Sequence, residues 1–191
     1  MSGTITEEHL VASTNNEHNT LFPVFLKLDK LTTLIVGGGY VATEKLNAVY
    51  QNSPNANIRL VATEISPEVK TFITRHNIHF EERAFIPSDL EGIDLAIIAI
   101  NDKDISYEIH AACLAIGVLT NVADKPELCD FYLSSVVQKG NLKIAISTNG
   151  KSPTIAKRVK EVLNEAFPHE MEEVLNNMEK IRQKLGGDFS D

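Results

Sequence analysis

The stretch LTTLIVGGGYVATEKL, residues 31–46, limits the fold more than any other part of the chain. TTLIV is β-branched and apolar throughout, the pattern of a parallel strand buried on both faces. Three glycines follow, and from Tyr40 the residues Val41, Ala42, Leu46 and Val49 recur at helical spacing. Gly37, Gly39 and Ala42 occupy the key places of G-x-G-x-x-G/A. In that pattern the first glycine allows the sharp turn, the second lets backbone approach a pyrophosphate, and the small third residue lets helix pack on strand. The unpaired N–H groups of such a helix start face an anion, helped by the helix dipole. Gly37, Gly38 and Gly39 are therefore read as a phosphate floor, the alternative being a tight corner with no ligand.

The alternation continues. IRLVA is a second strand, and a helix is expected from Ser66, with Pro67 at its first position, to His76. IHFEER reads as a third strand near a sheet edge, and DLAIIAI as a fourth strand. Ile105, Ile109, Ala112, Cys113 and Ile116 mark a helix closed by Gly117, and VLTNV a fifth strand. The class is α/β, a Rossmann-like doubly wound parallel sheet. Beyond Asp124 the rhythm changes. FYLSSVVQKGNLKIAIST reads as a β-hairpin turning at KGN, and two amphipathic helices follow on either side of Pro168. The expected organisation is a polar tail over 1–20, a cofactor-binding domain over 21–123, a dimerisation β segment over 124–150 and a helical segment over 151–191. The last two are too small to cover their own apolar faces, so a second copy of the chain is expected to cover them.

Composition narrows the function classes. The net charge of −8 and the lack of a basic run argue against a nucleic-acid partner. No apolar run approaches the length of a membrane span, and the first residues lack the basic start and apolar core of a signal peptide. The two cysteines, Cys113 and Cys129, form no Cys-x-x-Cys pair, and the six histidines do not cluster, so no metal site is expected. Both thiols are expected to pack as small apolar groups in a reducing cytoplasm.

Three further places carry chemistry. Glu64, just past the second strand, has the position from which a carboxylate accepts hydrogen bonds from an adenosine ribose and repels a 2′-phosphate, favouring NAD over NADP. Asp124 closes the fifth strand, where a nicotinamide would reach; it is either a proton acceptor or the cap of a turn before Pro126. STNGKSPTIAKR brings Thr148, Lys151 and Ser152 to a helix start marked by Ser152 and Pro153. That loop suits carboxylates, or is a polar connection with no ligand.

FPVFLKLDKLTTLIVGGGYVATEK, LVATEISPE, NVADKPELCDFYLSSVVQKGNLKIAISTNGKSPTIAKRVKE and the two-helix tail together resemble the precorrin-2 dehydrogenase family, the N-terminal module of siroheme synthases and its stand-alone relatives. The third stretch is the specific one, since generic dinucleotide-binding chains do not share it. The resemblance implies NAD-dependent oxidation of the tetrapyrrole precorrin-2 to sirohydrochlorin by a homodimer, with iron insertion as a further activity in some relatives. It places Tyr40, Val41, Thr63 and Glu64 at NAD, Asp124 as the catalytic aspartate, and Thr148 with Ser152 beside the tetrapyrrole. Asn101, in the segment after the fourth strand where the family has Thr-Asp-Asp, joins the cofactor set. A reading from another class is an NAD-sensing regulatory domain that acts through a partner.

Overall fold

The computed structural model describes residues 18–168 and 171–184. Most of the expected polar tail, and Leu185 on the expected apolar face of the last helix, lie outside the described residues.

Five parallel strands form the main sheet: β1 (Thr32–Val36), β2 (Asn57–Ala62), β3 (His79–Glu82), β4 (Leu95–Ile98) and β5 (Leu119–Val122), in the order β3-β2-β1-β4-β5. Helices α1 (Tyr40–Asn52) and α2 (Pro67–His76) cover one face, and α3 (Lys103–Ile116) covers the other. The unbroken apolar run of β1 follows from this double cover. Ile35 packs with Ala42, Leu46, Val69 and Ile73, whereas Leu34 and Val36 pack with Ile109 and Cys113. Successive side chains point to opposite faces of a strand, so both faces need apolar residues. Each fully buried Leu or Ile stabilises the fold by about 1.5–3 kcal/mol relative to exposure. The edge strand β3 has no buried residue, in keeping with its mixed composition.

Helix ends follow local chemistry. Ser66 accepts the Val69 N–H at 3.3 Å to start α2, with Pro67 next, and Asp102 accepts the Ile105 N–H at 3.0 Å to start α3. Gly117 ends α3 in the left-handed region, at φ 78°.

From β1 the chain steps outward to β2 and β3, then crosses back to β4 on the other side of β1. Val36 pairs with Val61 on one side and with Ile98 on the other. This reversal opens a crevice at the carboxyl ends of β1 and β4, where ligands of such sheets bind.

The rest of the chain forms a separate hairpin, β6 (Ser135–Lys139) and β7 (Leu142–Ile146), turning at Gly140, and the helices α4 (Pro153–Ala166) and α5 (Met171–Lys184). Val137 of the hairpin and Ala156 of α4 are buried, and the Lys143 ammonium donates to the Asn52 carbonyl at the end of α1. An apolar cavity of about 600 Å³ lies where the hairpin meets the amino end of the sheet, walled by Phe25, Leu28, Phe131 and Leu133 among others. Helix α5 buries none of its residues; Val174, Met178 and Ile181 stand about half exposed. Among the described residues no helix is long and apolar enough to cross a membrane.

Candidate functional site

A cleft of about 760 Å³ sits at the crevice beyond β1 and β4. Gly37, Gly38, Gly39, Tyr40, Val41, Thr63, Glu64 and Asn101, the whole expected cofactor set, line it. Residues distant in sequence meet there because the parallel register brings the carboxyl ends of β1, β2 and β4 level.

The three glycines have different reasons for being glycine. Gly37 has φ 129°, and a Cβ there would overlap the Ala99 carbonyl oxygen. A Cβ on Gly38 would overlap the Glu64 carbonyl oxygen, and the Gly38 carbonyl accepts the Ser66 N–H at 2.8 Å. The fold itself requires these two. Gly39 is different: φ −99° and ψ −158° are open to any residue, and a Cβ there would meet nothing within 4 Å. Its missing side chain leaves space in the cleft, not inside the protein. Gly39 is also the N-cap of α1, and no side chain caps the N–H groups there. An open anion-receptive helix start with room beside it fits a pyrophosphate. Ala42, fully buried against β1, is the small residue that lets α1 come close.

One wall of the cleft escaped the sequence reading. Arg83, Ala84, Phe85 and Pro87, in the segment after β3, line it, as do Ile105, Glu108 and Ala112 of α3. The segment is folded by an ion cluster. Arg83 donates to Asp89 through both terminal nitrogens, at 2.8 and 2.6 Å, to Glu81 through Nε at 2.7 Å, and to the Ala84 carbonyl at 3.0 Å. Asp89 also accepts the Ile86 N–H at 2.8 Å, which caps the 3-10 turn Pro87–Leu90. The Arg83 guanidinium holds the Asp89 carboxyl below the usual carboxylate range, and the two carboxylates push Arg83 above its ordinary value. Next to it Glu82 accepts from Lys70 at 3.1 Å and from the Ile65 N–H at 3.2 Å, and its pKa is lowered by the Lys70 ammonium first. Glu82 thereby ties the end of β3 to the Thr63–Glu64 loop. An arginine at the carboxyl end of the third strand was the available signal, since that end opens on the same crevice.

Asp124, Thr148, Lys151 and Ser152 do not line this cleft. Asp124 stands exposed just past β5, at the same carboxyl edge of the sheet; the Ala123 N–H donates to Ile98 at 2.9 Å. Its φ of 58° lies in the left-handed region, which costs most side chains about 1–2 kcal/mol and which Asp and Asn tolerate best. The loop is built around Cys129. Its sulfur lies 3.2 Å from the Val122 N–H and 3.3 Å from the Val122 and Lys125 carbonyls, so this thiol, packed against the apolar core as expected, also joins the loop's hydrogen bonds. Burial raises its pKa, while Cys113, wholly buried in the core, is pushed up to about 11.

The loop before α4 satisfies its own polar groups. Ser152 Oγ accepts the Ile155 N–H at 3.2 Å, and the Ser152 N–H donates to Thr148 Oγ1 at 3.3 Å. Thr148 Oγ1 in turn donates to the Ser152 carbonyl at 3.1 Å. Lys151 lies inside this turn, its N–H donating to the Thr148 carbonyl at 3.0 Å. Among the described residues, no group of three or more His, Cys, Asp or Glu side chains gathers as a metal site.

Comparison with known proteins agrees with this geometry. A family model described as "Sirohaem biosynthesis protein central" matches residues 139–165. The siroheme synthase of Psychrobacter sp. (strain PRwf-1) is 32% identical over 152 residues, covering 77% of this chain and 30% of that protein. That of Thioalkalivibrio sulfidiphilus is 31% identical over 147 residues, with the same coverage. The chain thus spans about a third of the length of these relatives. A solved structure titled "SirC, precorrin-2 dehydrogenase" superposes with a TM-score of 0.70 at 24% identity, over 85% of this chain and 79% of that one, which establishes the shared fold. A second model, described as "Putative NAD(P)-binding", matches residues 24–135. That span takes in β1, the bare start of α1 and every residue of the cleft, and the chain belongs to this putative NAD(P)-binding family.

Proposed function

We propose that the chain is an NAD-dependent dehydrogenase that oxidises precorrin-2 to sirohydrochlorin in siroheme biosynthesis. The observation that carries the cofactor half is the start of α1, where Gly39 leaves both its N–H groups and the neighbouring space open to a diphosphate. Glu64, on the same cleft, favours NAD over NADP. The substrate half rests on the names of the relatives and on the match over residues 139–165.

The reaction removes a hydride and a proton from the tetrapyrrole. NAD, when bound, supplies the hydride acceptor. Gly37, Gly38 and Gly39 anchor it through the main chain, with Tyr40, Val41, Thr63, Glu64 and Asn101 around it. Asp124 takes the proton: the carboxylate stands at the carboxyl edge of the sheet, and its left-handed backbone is set by the Cys129-centred loop. Thr148, Lys151 and Ser152 face the substrate's carboxylates. A second copy of the chain covers the exposed apolar faces of α4 and α5, where Ile155, Val162, Val174 and Met178 lie open, so the active form is a homodimer. Two free thiols suit the reducing cytoplasm.

The test is incubation with precorrin-2 and NAD, following NADH and the sirohydrochlorin spectrum, with and without Fe²⁺ or Co²⁺ to read metal insertion. NAD binding without turnover would move the chain to the sensor reading. Sedimentation of the purified chain as a monomer would sink the dimer.

A further inference from the structure

We infer that the Glu81–Arg83–Asp89 cluster is a cofactor-selectivity device, which keeps a 2′-phosphate out by occupying the cation that would bind it. This rests on the reading of the cleft as an NAD site. Ala62 pairs with Glu82 in the parallel register of β2 and β3, so Arg83 follows directly beside Thr63 and Glu64. That is the ribose end of a dinucleotide cleft, where an arginine accommodates the extra phosphate of NADP. Among the described residues lining the cleft Arg83 is the sole Lys or Arg, against the carboxylates of Glu64, Asp102 and Glu108.

Its donors are already committed. Asp89 takes the guanidinium in the two-point manner that a phosphate would use, and Glu81 takes Nε. Asp89 is itself largely buried, with its side chain 9% exposed, and is fixed by the Ile86 N–H, so the pair is not an exposed bridge that opens freely. One cation held by two carboxylates presents no net positive charge to an incoming phosphate, and Glu64 repels it from the other side. Asp89 is thus a positioning residue, acting through Arg83.

The test measures the affinity of the full-length chain for NAD and for NADP by calorimetry, with thermal melting alongside. Asp89→Asn is expected to tighten NADP at least tenfold while NAD stays within threefold. The gain should fade with added salt and vanish in Arg83→Ala/Asp89→Asn, which a merely structural role of Asp89 would not produce. If Asp89→Asn does not fold, Glu81→Gln frees Nε alone and is expected to tighten NADP about threefold. Unchanged NADP affinity in whichever variant folds overturns the inference while leaving the NAD site standing. A wild-type chain that binds neither dinucleotide overturns the cofactor reading and the selectivity device together.

Discussion

The starts of α1 and α4 looked alike as sequence, each a polar or glycine-rich loop running into a helix, and both suited anions. They differ in what already fills them. At α4 the Ser152 hydroxyl takes the Ile155 N–H, and Thr148 bonds to Ser152 in both directions. At α1 the N-cap is Gly39, which has nothing to offer the first N–H groups. Ser66 and Asp102 close α2 and α3 in the same way as Ser152 closes α4. Of the helices α1 to α4, only α1 begins with no side-chain cap; its start opens on the cleft, as does that of α3, which Asp102 already fills. With glycine as the cap residue the fold forgoes only about a few tenths of a kcal/mol at the start of α1. A helix start left bare where a ligand can reach it is a binding site in waiting; a capped one serves the fold first.

Substitutions within the glycine run separate these roles most sharply. Gly38→Val places a Cβ on the Glu64 carbonyl, so the β1–α1 corner must shift, with a loss of stability of about 3 kcal/mol by chemical denaturation. Gly39→Asp should leave the melting temperature nearly unchanged, because a Cβ there meets only open space. It should still weaken NAD roughly 100-fold, about 2.8 kcal/mol, by setting bulk and negative charge where the pyrophosphate rests. A Gly39→Asp chain that binds NAD normally would erase the distinction between the two helix starts.

Asp124 tests whether chemistry belongs to the same sheet edge. Asp124→Ala is expected to leave NAD affinity intact while turnover falls at least about tenfold, about 1.4 kcal/mol of barrier. Asp124→Asn keeps a side chain that tolerates φ 58° and removes only the charge, so it should fall as far. If Asn restores activity, the residue serves the turn rather than the reaction.

How much of this was legible in the sequence depended on the range of the forces involved. The β1–α1 corner was readable because its pattern is local: an apolar strand, glycines and a helical repeat of Ala42, Leu46 and Val49 stand next to one another. The cap at Ser66, the stop at Gly117 and the hairpin turn at Gly140 were legible for the same reason. The wall made by Arg83 and Phe85 was not, since only the parallel register of β3 on β2 carries it to Glu64. Hydroxyls posed a different difficulty. Thr148 and Ser152 are the residue types that bind anions and also the types that cap helices, and composition does not tell which partner they have. Cys129 packs on the core as its residue type suggests, but the carbonyls around its sulfur belong to the loop's own folded shape and leave no mark in the sequence.

The smallest effects come from the caps themselves, and pH tells two kinds apart. Ser152→Ala removes a neutral acceptor and should cost about 1 kcal/mol at neutral and acid pH alike, since a hydroxyl does not titrate there, with NAD affinity unaffected. Asp89 caps its turn with a charge. Its carboxyl lies lower in the folded chain than in the unfolded one because Arg83 holds it ionised. A lowered folded value means that the stabilisation is complete above the unfolded value, about 3.9, and is lost as pH falls through the folded one. The stability gap between wild type and Asp89→Asn should therefore be full at pH 7 and close below about pH 4. There the protonated acid and the amide become near equivalents in shape and charge. A gap that persists undiminished in acid would mean that Asp89 holds its turn by packing alone, and that its pairing with Arg83 contributes nothing to the wall of the cleft.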